Sequence, residues 1–138
     1  MSNKNIIIGH AITMNLNDIS IFIATALQET DSDILLFVEN VDIIPPQIIK
    51  TGRVFLQKSS WKKLTKKLNW HGLVNCRFVE YHNVLRTISQ NNYYQHVLLT
   101  DTRDVLFQSD PFGKLDNVGI YFALEEFGVE LGSSDDLF

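Results

Sequence analysis

Cysteine and long apolar runs are scarce in this sequence of 138 residues, and each scarcity excludes a class of protein. A single cysteine, Cys76, cannot form an intrachain disulfide or a zinc site built from several thiolates. No apolar run approaches the roughly 20 residues that a membrane-spanning helix needs. Residues 1–5 also lack the basic and apolar segments of a signal peptide. We therefore expect a cytoplasmic protein with no membrane span.

Charge is distributed unevenly along the chain, although its composition is that of a globular protein, with 45% apolar and 20% charged residues. The net charge of −4 combines −5 over residues 1–49, +8 over residues 50–100 and −7 over residues 101–138. We expect one domain, 1–138, that is not a general nucleic-acid binder. A basic middle beside an acidic end suits a small phosphorylated ligand held together with a cation.

Strand and helix patterns alternate along the chain. Short apolar runs bounded by breakers predict buried strands at 6–9, 34–38, 54–56, 96–100 and 118–124. Helical spacing and capping residues predict helices that begin at Asn15 or Asn17, at Pro45-Pro46 and at Ser59, with a further helix over 78–88. This alternation predicts an α/β fold with a Rossmann-like, mainly parallel sheet of four or five strands.

Two acidic residues three positions apart follow the predicted strand at 96–100. Ligands bind beyond the carboxyl ends of strands in open α/β sheets, so Asp101 and Asp104 lie where a ligand is expected. Mg²⁺ and Mn²⁺ are held by carboxylate oxygens together with substrate phosphates and water. The pair therefore predicts a metal site that would neutralise a bound diphosphate. The alternative is a helix cap and a surface ion pair with Arg103.

Residues 101–112, Asp-Thr-Arg-Asp-Val-Leu-Phe-Gln-Ser-Asp-Pro-Phe, resemble the Asp-x-Asp region of GT-A-type glycosyltransferases. They are most similar to a subgroup with the pattern D-x-R-D-V-x-F-Q-x-D-P-F. The resemblance spans essentially the whole chain and is specific over residues 77–126. It implies a GT-A fold, a nucleotide-diphospho-sugar donor such as a UDP-sugar, and Mn²⁺ or Mg²⁺ as cofactor. It matches Asp104 to the metal ligand and Asp101 to a residue that contacts the donor ribose or the metal.

The resemblance also implies where the donor would lie. The nucleotide would follow the first and second predicted strands, and the diphosphate would lie beside basic residues near the metal motif. The residues placed there are His10, Thr13, Glu39, Asn40, Arg77 and Arg103. Each has an ordinary structural alternative, such as a solvated turn or a surface ion pair.

The chain is shorter than the catalytic domains of this family, whose later half carries the acceptor site. We therefore expect the N-terminal, donor-binding part of a longer glycosyltransferase, completed by a C-terminal half or by a partner chain. Two other functions stay open. One is a non-catalytic module that binds a nucleotide sugar or a protein, and the other is a Mg²⁺-dependent phosphotransfer domain.

Lysines recur on one side of the predicted helix that follows Ser59. They are Lys62, Lys63, Lys66 and Lys67. Such a face is usually the solvated side of an amphipathic helix, and the alternatives are contact with nucleic acid or with anionic lipid.

Overall fold

The computed structural model describes residues 4–68, 73–91, 93–115 and 119–121. The strands are β1 (Asn5–Ala11), β2 (Asp33–Val38), β3 (Val54–Lys58) and β4 (His96–Thr100). The α-helices are α1 (Leu16–Glu29), α2 (Pro46–Ile49), α3 (Trp61–Leu68) and α4 (Leu73–Asn91). Short 3₁₀ turns cover Val41–Ile43 and Pro111–Lys114. The first four predicted strands are confirmed, and β1 and β3 each extend two residues further at their carboxyl ends.

The first helix begins at the earlier of its two predicted caps. The Asn15 side chain accepts a hydrogen bond from the backbone N–H of Asp18 at 2.8 Å, which satisfies one of the free N–H groups of the first turn. The apolar face of α1 is buried as its spacing predicted, and its fully covered members are Ile19, Phe22, Ile23 and Ala26. The helix ends at Thr30, whose N–H and hydroxyl both donate to the carbonyl of Ala26.

The four strands form one sheet in the order β3-β2-β1-β4, and every neighbouring pair is parallel. Ile7 of β1 aligns with Ile34 of β2 on one side and Leu98 of β4 on the other. Helices flank the sheet, so the predicted α/β, Rossmann-like, mainly parallel architecture is confirmed. The strand order also determines where a ligand site is expected. The chain adds β2 and β3 on one side of β1 and then returns to place β4 on its other side.

The two faces of the sheet are covered by different helices. Successive residues of a strand point to opposite faces, so neighbours in β1 enter different cores. Ile7 packs with Phe22 of α1 in one core, whereas Ile8 packs with Phe37 and with Tyr81 of α4 in the other. A parallel sheet covered on both faces explains why its strands are uniformly apolar.

Much of the segment after β4 serves the core. The chain returns to the α1 face, where Phe112 is buried and the Phe107 ring lies edge-on to Phe22 at 5.5 Å between centroids. Asp110 accepts a hydrogen bond from the N–H of Phe112 at 2.9 Å and so caps the second 3₁₀ turn. The aromatic and Asp-Pro-Phe positions of the motif therefore anchor the loop that carries Asp101 and Asp104.

The last predicted strand, 118–124, lies mostly outside the described residues. Its described part, residues 119–121, is not in a strand. Four strands are therefore established in the part of the chain that the structure describes. No helix among the described residues is long and apolar enough to cross a membrane.

Candidate functional site

The strand order creates a reversal point between β1 and β4. From β1 the chain passes through α1 to β2 on one side, whereas α4 leads to β4 on the other side. Helices on opposite faces of the sheet flank this point, and ligands of open α/β sheets bind beyond the carboxyl ends of the strands at such a reversal. The loops that border it are residues 12–14 after β1 and residues 101–104 after β4, and we call this region the crevice.

Two hydrogen bonds tie the loops of the crevice together. The Thr102 hydroxyl donates to the carbonyl oxygen of His10 at 2.9 Å, and the Thr102 residue is only 3% exposed. The Arg103 guanidinium donates from Nη2 to the carbonyl oxygen of Thr13 at 2.8 Å. The structure thus brings Thr13 and Arg103, which the sequence analysis placed at the donor, into direct contact.

The crevice also holds unusual backbone geometry. Among the described residues, the non-glycine positions with positive φ are Thr13 and Asp104, both at 58°. Aspartate tolerates this left-handed conformation, but a β-branched residue such as threonine rarely adopts it. Such conformations cost about 1–3 kcal/mol each and cluster at functional sites, where the surrounding structure holds them in place. The two positions lie on opposite sides of the crevice, one in each of its loops.

The two acidic residues of the motif are both accessible at the crevice. The Asp101 side chain is 64% exposed, and its Oδ1 forms an ion pair with Nη1 of Arg77 from α4. Asp104 is exposed as well, in the left-handed turn. The exposure of Asp101 means that its ion pair contributes little to stability, so Asp101 remains available to a ligand.

Two buried polar atoms lie behind Asp101 without a hydrogen-bond partner among the described residues. They are Nε of Arg77 and the hydroxyl oxygen of Tyr81, one helical turn apart on α4. Burial raises the pKa of Tyr81 to about 12, while the charge of Arg77 lowers it and that of Asp101 raises it. Unpaired buried polar groups are uncommon because they cost free energy. Both atoms belong to residues near Asp101, so this part of α4 has hydrogen-bonding groups that no described residue satisfies.

Glu39 and Asn40 lie at the carboxyl end of β2, one strand away from the crevice. Both are exposed, and the Asn40 side chain accepts a hydrogen bond from the N–H of Asp42 at 3.0 Å. That bond caps the first 3₁₀ turn, so the side-chain amide of Asn40 stabilises the start of the turn. The structure places the two residues at the correct edge of the sheet but does not join them to the metal motif.

His10 has a different environment from the one expected for a nucleotide contact. Its side chain is 4% exposed and lies between the rings of Phe37 and Tyr81 on the α4 face. The ring nitrogen Nε2 lies 2.8 Å from Oε1 of Glu80, whose side chain is 7% exposed. The imidazole therefore binds a buried carboxylate, and only the backbone of His10 borders the crevice.

Glu80 has three hydrogen-bond partners from two parts of the chain. His10 lies next to the carboxyl end of β1, while the hydroxyl of Ser59 and the N–H of Ser60 follow β3; the Ser60 bond to Oε2 measures 3.2 Å. Burial raises the pKa of Glu80, but the hydrogen bonds from His10, Ser59 and Ser60 lower it and prevail. The sequence analysis missed this cluster. The signal that could have found it is that Glu80 is the one acidic residue in the basic stretch 50–100.

The same three residue types occur in hydrolytic triads, but their arrangement here is different. A triad joins serine and acid to the two different ring nitrogens of its histidine. Here both Oγ of Ser59, at 3.3 Å, and Oε1 of Glu80 approach the same nitrogen, Nε2 of His10. Ser59 also accepts from the N–H of Trp61 as the cap of α3. The cluster fastens α4 to the carboxyl edge of the sheet, and its geometry is not that of a triad.

Gly9 is required for the close approach of the two crevice loops. A Cβ atom at this position would clash with the methyl group of Thr102 and would lie 3.0 Å from Cδ2 of Leu36. We expect Gly9→Ala to lower the free energy of unfolding by about 1–3 kcal/mol, because Thr102 and its bond to His10 must move. Urea unfolding followed by circular dichroism measures this change.

Gly113 offers a matched control for that substitution. A Cβ atom there would have no neighbour within 4 Å, so Gly113→Ala is expected to leave the free energy of unfolding nearly unchanged. Equal effects of the two alanine substitutions would contradict the close-packing role of Gly9.

Among the described residues, no group of three or more histidine, cysteine, aspartate or glutamate side chains could hold a metal ion. The chain matches no protein-family model, no curated protein and no solved structure among those with which we compared it.

Proposed function

We propose that the chain is the donor-binding part of a metal-dependent glycosyltransferase. It binds a nucleotide-diphospho-sugar at the crevice, and the sugar then passes to an acceptor hydroxyl in the complete enzyme. The observation that supports this most is the position of Asp101 and Asp104. Both acids of the glycosyltransferase-like motif follow the strand next to the reversal point and are accessible to a ligand.

The residues of the crevice fit Mn²⁺ or Mg²⁺ bound together with a diphosphate. Asp101 and Asp104 supply hard oxygen ligands, and Mg²⁺ is commonly held by one or two carboxylates plus substrate phosphates. The unpaired Nε of Arg77 fits a site whose polar ligand completes its hydrogen bonds. Asp101 and Asp104 would hold the metal, which would neutralise the diphosphate as it becomes the leaving group.

The basic residues prepare this site for phosphate oxygens. Arg77 lies beside the carboxylate of Asp101, and Arg103 is bound to the loop after β1 through the carbonyl of Thr13. A guanidinium carries five N–H donors in a planar fork that suits phosphate. Since Arg103 uses Nη2 for Thr13, its other donors can bind and orient the diphosphate.

Calorimetric titration of UDP, and then of a panel of nucleotide sugars, into the purified chain tests the proposal. We expect binding in the presence of Mn²⁺ or Mg²⁺ and little binding without the metal, because the carboxylates repel an unneutralised diphosphate. A phosphoryl-donor mimic such as beryllofluoride is the control, and it should not bind. Binding of that mimic with no nucleotide binding would favour a phosphotransfer domain, and metal-independent nucleotide binding would contradict the metal site.

A further inference from the structure

The middle of the chain carries an uncompensated positive charge. Between Asp42 and Glu80 there is no acidic residue, while the same stretch contains eight lysines and arginines. Half of these lie on α3 and share its exposed side. They are Lys62, Lys63, Lys66 and Lys67, and we call them the lysine face.

The lysine face is held in a fixed orientation by the rest of the molecule. On the other side of α3, Trp61 and Leu64 are half-buried, and the Sγ of Cys76 from α4 lies 4.0 Å from the carbonyl oxygen of Trp61. Ser59 caps the helix and is itself bound to Glu80. Because the apolar side of α3 packs against the rest of the molecule, it is not free to enter a bilayer. A partner that binds this helix would therefore contact its lysines.

No carboxylate neutralises this face within the described residues. The ion pairs among the described residues join Lys4 to Asp33, His10 to Glu80 and Arg77 to Asp101. None of them includes a member of the lysine face. Lys62 instead lies 5.6 Å from the ring centre of Trp61, a cation–π contact that leaves its charge intact. Within the part of the chain that the structure describes, the four ammonium groups therefore form a cationic patch with no paired carboxylate.

The chemistry of the patch indicates the class of partner. Its charged groups are all lysines, which act as point charges, and it lacks the arginine forks that recognise individual phosphates and bases. Clusters of four to eight basic residues on an amphipathic helix are typical of contact with anionic lipid headgroups.

We propose that the lysine face of α3 binds an anionic membrane surface. The binding is electrostatic and peripheral, with the docked helix lying against the headgroups. Because α3 follows the carboxyl end of β3, this contact brings the carboxyl edge of the sheet, and the crevice with it, close to the membrane. The proposal rests on charge and exposure alone and holds whether or not the crevice binds a nucleotide sugar.

Cosedimentation of the full chain with lipid vesicles tests the proposal. We expect binding to phosphatidylcholine vesicles that contain phosphatidylglycerol, and none to pure phosphatidylcholine. The triple variant K62E/K63E/K66E should reduce the partition coefficient by about tenfold or more, since each basic residue near an anionic surface contributes to the attraction. Binding of the natural chain should also weaken as sodium chloride is raised, because salt screens exposed charges.

A matched variant separates the patch from net charge. K50E/R86E/K114E makes the same change in charge at exposed positions outside α3 and should retain most of the binding. Circular dichroism confirms that both variants fold, and K63Q/K67Q serves in place of the triple variant if that one unfolds. Equal losses in both triple variants, equal binding to neutral vesicles, or binding to an oligonucleotide without binding to anionic vesicles would each overturn the proposal.

Discussion

Glu80→Ala is expected to lower the free energy of unfolding by about 3 kcal/mol. Removing the acceptor of a buried polar cluster leaves the remaining polar groups without a partner, and this loss is larger than the worth of an exposed ion pair. Here the side chain of His10, the hydroxyl of Ser59 and the N–H of Ser60 all lose their acceptor. Urea unfolding near neutral pH measures the change.

Two further variants make that prediction specific. Glu80→Gln keeps an acceptor oxygen of similar shape, so its loss should be smaller than that of the alanine variant. Glu29→Ala removes an acidic residue from the last turn of α1 and should change the free energy of unfolding by less than about 0.5 kcal/mol. If Glu80→Ala and Glu29→Ala cost the same, the cluster does not stabilise the fold.

The same carboxylate makes stability depend on pH. Burial raises the pKa of Glu80, but its hydrogen bonds lower the pKa by a larger amount, so the pKa in the folded protein lies below that in the unfolded chain. The contribution is therefore present above the unfolded value of about 4.3 and disappears as the pH falls through the folded value. Glu80→Gln should flatten this part of the curve of unfolding free energy against pH, and parallel curves would refute the assignment.

Asp104→Asn is expected to weaken metal-dependent binding of a nucleotide sugar by about 100-fold, or about 2.7 kcal/mol. Asparagine tolerates the left-handed backbone at this position, so the loop should keep its conformation while the charge that attracts the metal is lost. Titration calorimetry with Mn²⁺ measures the binding, and urea unfolding should show nearly unchanged stability.

Asp31→Asn is the matched control for that substitution. Asp31 is exposed and precedes β2, at the amino edge of the sheet and therefore at the end opposite the crevice. We expect this variant to bind nucleotide sugar as the natural chain does. Undiminished binding in Asp104→Asn would instead show that the motif is only structural and would remove the basis of the proposed function.

The local elements of the fold were predictable from sequence because their causes are local. An apolar run such as 34–38 has to be buried, and the spacing of Ile19, Phe22 and Ile23 places them on one helical face whatever surrounds them. Asn15 caps α1 through a bond to a residue three positions away. The positions of Asp101 and Asp104 after β4 follow from the same reasoning, since a motif next to a strand stays next to it.

The relations between distant residues came only from the tertiary structure. The order β3-β2-β1-β4 decided that the loops after β1 and β4 share a crevice, which brought Arg103 to Thr13, 90 positions earlier in the chain. The same packing buried His10 against Glu80, although the sequence had placed that histidine at a ligand. Neither pairing leaves a local pattern, because a hydrogen bond across the sheet imposes no periodicity on the residues between its ends. By itself the sequence determined which segments are strands and helices and where the acidic motif lies, while the tertiary structure decided which side chains are exposed at the crevice and which are enclosed.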